Sequence, residues 1–358
     1  MKNYRYKTTA FFVIALLTIS TALFAEEVTK EYHKEFAASS ATTLDINSRY
    51  GNVVIESWNN NQIVIDVKIT VNVSNKSKAE QDLSNIDALF SESGNVIKAW
   101  TEVNSKYFSK GVNTNDVSIN YSIKMPVSSA LNLGNRYGNT TINELSGLVN
   151  INISYGNLTI GKLARGNEKP WNNISLRYGS ADIQEAGWLN LNTQYAKNVE
   201  LSKCTAVLLE SRYSDLNFGE ISSIVGECAY GAIKIGNIRN LDLDNRYTGI
   251  KVGTLTNSLK FESNYGALTI DNITNGFESI EVDTRYSNVT LGIANNASYE
   301  LNGEARYGGI KYDNNNFNFT KKIQERNTLT IAGVNGKDSS PKAKIKIEAA
   351  YATVNLVK

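Results

Sequence analysis

Histidine occurs once in the 358 residues, at His33, and cysteine twice, at Cys204 and Cys228. A single histidine excludes any multi-histidine metal site, and two cysteines without a Cys-x-x-Cys pair exclude a thiolate zinc site. A Ser-His-Asp triad would have to recruit His33, which stands in a polar stretch outside the regular body of the chain and reads as an exposed residue rather than a ligand. Glycine-rich phosphate loops of the Walker or Rossmann type are missing. After the first 25 residues no apolar run approaches the roughly 20 residues that a membrane-spanning helix needs. These absences leave no catalytic residue, no cofactor-binding residue and no metal ligand to assign.

Net charge of one sign is missing too. The formal charge is +2, but Lys2, Arg5 and Lys7 precede an apolar stretch from Phe11 to Leu23 and small residues at Ser20, Ala22 and Ala25. That order is a secretory signal with a basic start, an apolar middle and a cleavage point before Glu26. The apolar middle is short for a span, although an uncleaved anchor remains an alternative. Removing those three of 37 basic residues leaves 34 against 35 acidic ones, which gives no electrostatic footprint for nucleic acid. The expected location is export: periplasm, outer surface or secreted, with no stable membrane span after cleavage.

What the chain has instead is a repeated tyrosine. It stands at Tyr50, Tyr137, Tyr155, Tyr178, Tyr195, Tyr213, Tyr230, Tyr247, Tyr265, Tyr286, Tyr307 and Tyr351, usually followed by glycine, and from Tyr137 to Tyr307 the spacing is 17, 18, 21 or 23 residues. A period of that size marks a repeat architecture. Apolar residues recur six and four positions before the tyrosine and three, five and eight after it, as in Val149, Ile151, Leu158, Ile160 and Leu163 around Tyr155. Steps of two are strand periodicity. The step of three across the tyrosine flips the side-chain phase, and Gly51, Gly138, Gly156, Gly179, Gly231 and Gly266 sit at that corner, where positive φ is expected of glycine. Each unit is too small to bury its own apolar face and must stack on its neighbours.

The expected fold is therefore all-β: a single-stranded parallel β-helix, or β-solenoid, with coils of 17–18 residues and an N-terminal cap containing one α-helix. Ten units stacked at about 4.8 Å give a rod of roughly 45–50 Å. The expected divisions are a signal peptide over 1–25, a first coil with a strand-and-helix cap over 26–130, the Tyr-Gly solenoid over 131–312, and a C-terminal cap with the last coil over 313–358. The helix is expected over Lys76 to Phe90, and the unit Ile345 to Leu356 is expected to close the C-terminal end.

Two outward positions are patterned. Three before the tyrosine stand Glu210, Glu227, Asp244, Glu262, Asp283, Glu304 and Glu348. One before it, arginine alternates with neutral residues: Arg136, Ser154, Arg177, Gln194, Arg212, Ala229, Arg246, Asn264 and Arg285. Skipping a coil doubles the Arg–Arg separation to about 9.6 Å and roughly halves the repulsion. The bland reading is a self-neutralising surface ladder. The sharper one, an acidic stripe for Ca²⁺ or a glycan, lacks the six to eight converging oxygens that calcium takes. A coil of two units, about 35 residues, would also satisfy the alternation, but it would stack arginines at about 4.8 Å without enough acid. The tyrosines share the inward parity and read as a ladder locking coil to coil, with arginine over some rings. Cys204 and Cys228 fall in different phases of the coil, so they read as buried core residues rather than a disulfide.

The Arg49-Tyr50-Gly51-Asn52 opening followed by Trp58, the long-strand insert ending near Pro126, and the re-entry at Arg136-Tyr137-Gly138-Asn139 resemble the putative adhesin families of unknown function, similar to autotransporter-adhesin head domains. The resemblance implies a right-handed solenoid at the bacterial cell envelope, a non-enzymatic adhesin or binding scaffold whose partner is a glycan or a surface protein, with no catalytic residues to carry over. The alternative is a carbohydrate-active enzyme, a polysaccharide lyase or hydrolase using outward carboxylates near the Ala164 to Trp171 bulge and Trp188. Glycosidases need two carboxylates at a defined separation, and no insertion between coils is long enough to wall a cleft.

Overall fold

The computed structural model describes residues 26–73, 75–104, 116–313 and 317–357. The signal segment expected over 1–25 lies outside the described residues. The chain is all-β with a single helix among the described residues, and its strands join one mixed sheet with parallel and antiparallel pairs.

Successive tyrosine units pair in parallel. Ile151 lies opposite Leu133 and Ile174, and Leu191 lies opposite Ile174 and Leu209. Most of these offsets are 17 or 18 residues, so one unit makes one layer and the two-unit coil does not occur. The apolar positions read from the sequence are the core: Val149, Ile151, Leu158, Ile160 and Leu163 are at most 1% exposed. The small residues two before the tyrosine, among them Ser48, Thr193, Ser211 and Thr284, are buried beneath the corner. Cys204 and Cys228 are buried free thiols.

The corner itself differs from expectation. All twelve repeat tyrosines, not the glycines after them, hold positive φ, between 51° and 63°. A bulky residue in that region costs about 1–2 kcal/mol. The ring then leaves the core instead of joining it: Tyr137 through Tyr351 are 41–59% exposed. Neighbouring layers compensate. Each ring stacks on the next, as Tyr178 on Tyr195 at 5.1 Å with planes 2° apart, a contact worth about 0.5–1.5 kcal/mol. The strained peptide also donates across the layers, as Tyr155 N–H does to the Arg177 carbonyl at 3.0 Å. Arg136 lies over Tyr137 with its guanidinium carbon 4.7 Å from the ring centroid.

The glycine is needed for a different reason. A Cβ on Gly138 would stand 1.8 Å from the Gly51 carbonyl oxygen, and one on Gly156 would stand 2.0 Å from that of Gly138. Glycine allows these peptides to lie backbone to backbone. Where the position is Ala196, Ser214, Thr248 or Ser287, the side chain is buried instead.

The N-terminal end is built from the insert between Tyr50 and Tyr137. Thr43–Arg49 pairs directly with Ala130–Arg136, so the two units stack despite the insert. The insert lies beyond Tyr50: Val96–Val103 continues one row and Val117–Pro126 the other. Glu26–Ala37, a strand that the polar composition concealed, pairs antiparallel with Gln62–Val73 at the edge. The helix is shorter than expected, Lys76–Leu83, because Ile86 and Ala88 alternate with half-exposed residues in the strand Ile86–Ser93. Asn75 caps it through Oδ1 to Lys78 N–H. Lys30 Nζ and Tyr32 Oη both bond Asp87, tying the edge strand to the strand after the helix. Burial pushes the Asp87 carboxyl up, but those two bonds outweigh it and hold the group below its ordinary value.

The C-terminal expectation fails. Lys344–Ala350 does not close the end. It pairs with Ser279–Arg285 on one side and Tyr299–Arg306 on the other. The last unit is slotted between the Tyr286 and Tyr307 layers, and the hairpin of Phe317–Glu325 and Thr328–Asn335 covers the Tyr307 layer antiparallel. Arg285 and Arg306, consecutive in the repeat, thereby gain Ala350 between them, and the alternation of arginine with neutral residues is kept.

Candidate functional face

The strands that precede each tyrosine expose alternate residues on one face, and register lays these out as rows with one residue per layer. Five positions before the tyrosine, Asn132, Asn150, Asn173 and Asn190 stand opposite one another. Three before it, the same layers carry Gly134, Asn152, Ser175 and Asn192. Asn150 Nδ2 donates to Asn132 Oδ1 at 3.0 Å. A cleft of about 490 Å³ runs over the Asn132, Asn150 and Asn173 layers and extends to Asp45, Asn47 and Arg49 in the Tyr50 layer. Gly134 offers no side chain and deepens its floor.

One edge of this face is aromatic. Trp171 and Trp188 precede Asn173 and Asn190 by two residues, on the same outward parity, and their rings lie 5.0 Å apart, tilted by 42°. Both are half-buried, and Trp171 Nε1 donates to Asn167 Oδ1 at 3.1 Å. The bulge singled out in the sequence therefore does bring its two tryptophans together. The other edge carries Arg49, Arg136 and Arg177. Arg49 and Arg136 are direct register partners, which breaks the alternation. Among the described residues none of these three guanidiniums pairs with a carboxylate.

Past the exposed Leu208 and Val225 the face changes sign. Glu210, Glu227, Glu262, Asp283, Glu348 and Glu304 continue the inner row. Here two arginines and two lysines have partners: Arg212 with Glu210 at 3.5 Å, Lys260 with Glu262 at 3.2 Å, Arg306 with Glu304 at 2.7 Å and Lys346 with Glu348 at 2.8 Å. Hydrogen bonds to Glu262 and Glu348 raise the Lys260 and Lys346 ammoniums above their ordinary value. Exposed pairs of this kind are weak, so the bases offset the acids only in part and the row stays acidic. Among the described residues no group of three or more His, Cys, Asp or Glu is placed to hold a metal ion.

His33 lies away from this face, exposed on the N-terminal edge strand, with Nδ1 2.6 Å from Asp66 Oδ1 and Nε2 3.0 Å from Glu35 Oε1. The amide rows are what the sequence reading missed. Their signal, asparagine at the same position in four successive units, becomes visible only once neighbouring layers are in register.

Neither a protein-family model nor a curated protein sequence matches the chain. Among solved structures, a putative cell adhesion protein from Clostridium sporogenes ATCC 15579 aligns over 92% of this chain and 99% of its own at 12% identity and a TM-score of 0.21. A putative adhesin from Bacteroides fragilis NCTC 9343 aligns over 92% and 97% at 10% identity and a TM-score of 0.22. A putative lipid binding protein from Parabacteroides distasonis ATCC 8503 aligns over 93% and 97% at 11% identity and a TM-score of 0.28. With TM-scores this low, fold and function rest on the chain's own residues.

Proposed function

We propose that this protein is an exported, non-enzymatic binding scaffold of the bacterial cell envelope, of adhesin type, built on a single-stranded, right-handed β-solenoid with coils of 17–18 residues. The observation that carries the reading is the layout of the outward rows. Polar and charged side chains are spread one per layer along the rod instead of converging on a point. Catalysis needs a few groups held against one reacting centre, whereas recognition of an extended partner is served by a row. The signal-like first 25 residues support export.

Fractionation tests location. The protein is expected in an osmotic-shock extract or in a surface fraction accessible to added protease. Recovery with the cytosolic fraction would sink the reading. Activity tests the enzyme alternative: incubation with a broad polysaccharide panel is expected to release no reducing ends and no unsaturated products.

A further inference from the structure

We propose that the amide face around Asn150 and Asn173 binds a linear anionic glycan, one bearing carboxylate or sulfate groups. The inference rests on the binding-scaffold reading and names its site and ligand class.

Three observations converge there. The first is chemistry: Asn132, Asn150 and Asn173 present one amide per layer along the cleft, and a carboxamide both donates and accepts, as hydroxyl-rich sugars require. The second is the tryptophan pair at the edge of the same rows, half-buried with rings 5.0 Å apart. Such a platform stacks on the apolar face of a sugar ring. The third is charge. Elsewhere arginines are kept a layer apart, and several are beside acids, but Arg49 and Arg136 occupy directly adjacent layers. Among the described residues neither pairs with a carboxylate, although Arg136 leans on the Tyr137 ring and hydroxyl. Like charges at one-layer separation destabilise the free protein, and an anion between them turns that repulsion into attraction. The acids beginning at Glu210 would repel a polyanion, so the bound segment is confined to the first five layers. A peptide is a poorer fit, because the cleft is lined by amides, Ser154, Ser175 and Asp45, which Lys98 faces at 3.9 Å, while its apolar residues Ile46, Leu133 and Ile151 are buried beneath.

The test is calorimetric titration of the purified protein with oligogalacturonate, with sulfated chondroitin oligosaccharide, with neutral dextran and with polyglutamate. Binding of either anionic glycan is expected, weakening with salt, and the two arms separate carboxylate from sulfate. Arg49→Gln with Arg136→Gln, and separately Asn150→Asp with Asn173→Asp, are expected to weaken it by about tenfold. Arg246→Gln, in the acidic half, is expected to leave it unchanged. Failure of both anionic glycans to bind, binding that neither double variant alters, or equal binding of polyglutamate overturns the inference. Shortening of the bound glycan would instead keep the site and overturn the scaffold reading.

Discussion

Tyr351 stacks on Tyr286 at 4.9 Å and on Tyr307 at 4.8 Å, so two tyrosines that are consecutive in the repeat never touch. The C-terminal unit is an inner layer, held by parallel pairing on both sides. Deleting residues 343–358 should therefore loosen both flanking layers. Hydrogen exchange is expected to rise in Ser279–Arg285 as well as in Tyr299–Arg306. A rise confined to Tyr299–Arg306 would contradict this layer order.

Glycines at and near the corners differ in what they require. A Cβ on Gly138 meets the Gly51 carbonyl at 1.8 Å, whereas one on Gly249 meets nothing within 4 Å. Gly138→Ala should cost at least about 2 kcal/mol, and Gly249→Ala should stay within about 0.5 kcal/mol. Chemical denaturation of the two variants measures the difference, and equal costs would refute the close-approach argument.

The edge strand Glu26–Ala37 should respond to pH through His33. The hydrogen bond to Asp66, and then that to Glu35, raises the imidazole above its ordinary 6.5. A raised folded-state value means that the bridge stabilises the strand fully below pH 6.5 and is lost as pH rises through the raised value. An NMR titration should place His33 above 6.5, and His33→Gln should remove the pH dependence of amide protection in Glu26–Ala37. A titration at or below 6.5 would contradict the bridge.

Burial pushes the thiols of Cys204 and Cys228 up to about 12. Cys204 lies against the Gly187 carbonyl and Cys228 against Asn245 Oδ1. Neither should react with a maleimide in the native protein, and both should react on unfolding, because the thiolate is the reactive form. Labelling of either thiol at native protection would show its layer to be open.

The repeat was legible because burial imposes a fixed pattern on strands: the apolar positions around Tyr155 and Tyr247 are core residues in the structure. The arginine alternation was legible as well, since charge repulsion acts between layers. Three features were hidden. Ile86, Leu89 and Phe90 fit helical spacing as well as a strand, and only pairing with Val96–Val103 decides the matter. The place of Lys344–Ala350 depends on which layer it joins, which local pattern does not encode. Intrinsic preference favours glycine for a left-handed corner, and stacking between layers overrides that preference in favour of tyrosine. The amide face shares the second difficulty, because its rows exist only in register.

The central structural claim is that each tyrosine corner is a strained conformation held by its neighbours, with the outward rows left for recognition. The most direct test compares Tyr213→Ala with Tyr213→Gly by equilibrium unfolding. Both variants lose the stacks on Tyr195 and Tyr230, at 4.9 and 4.8 Å. Alanine keeps the cost of φ 53° and glycine does not. The glycine variant should be the more stable by about 1 kcal/mol, reversing the order expected for an extended strand. An alanine variant as stable as the glycine variant, or more so, would contradict the account.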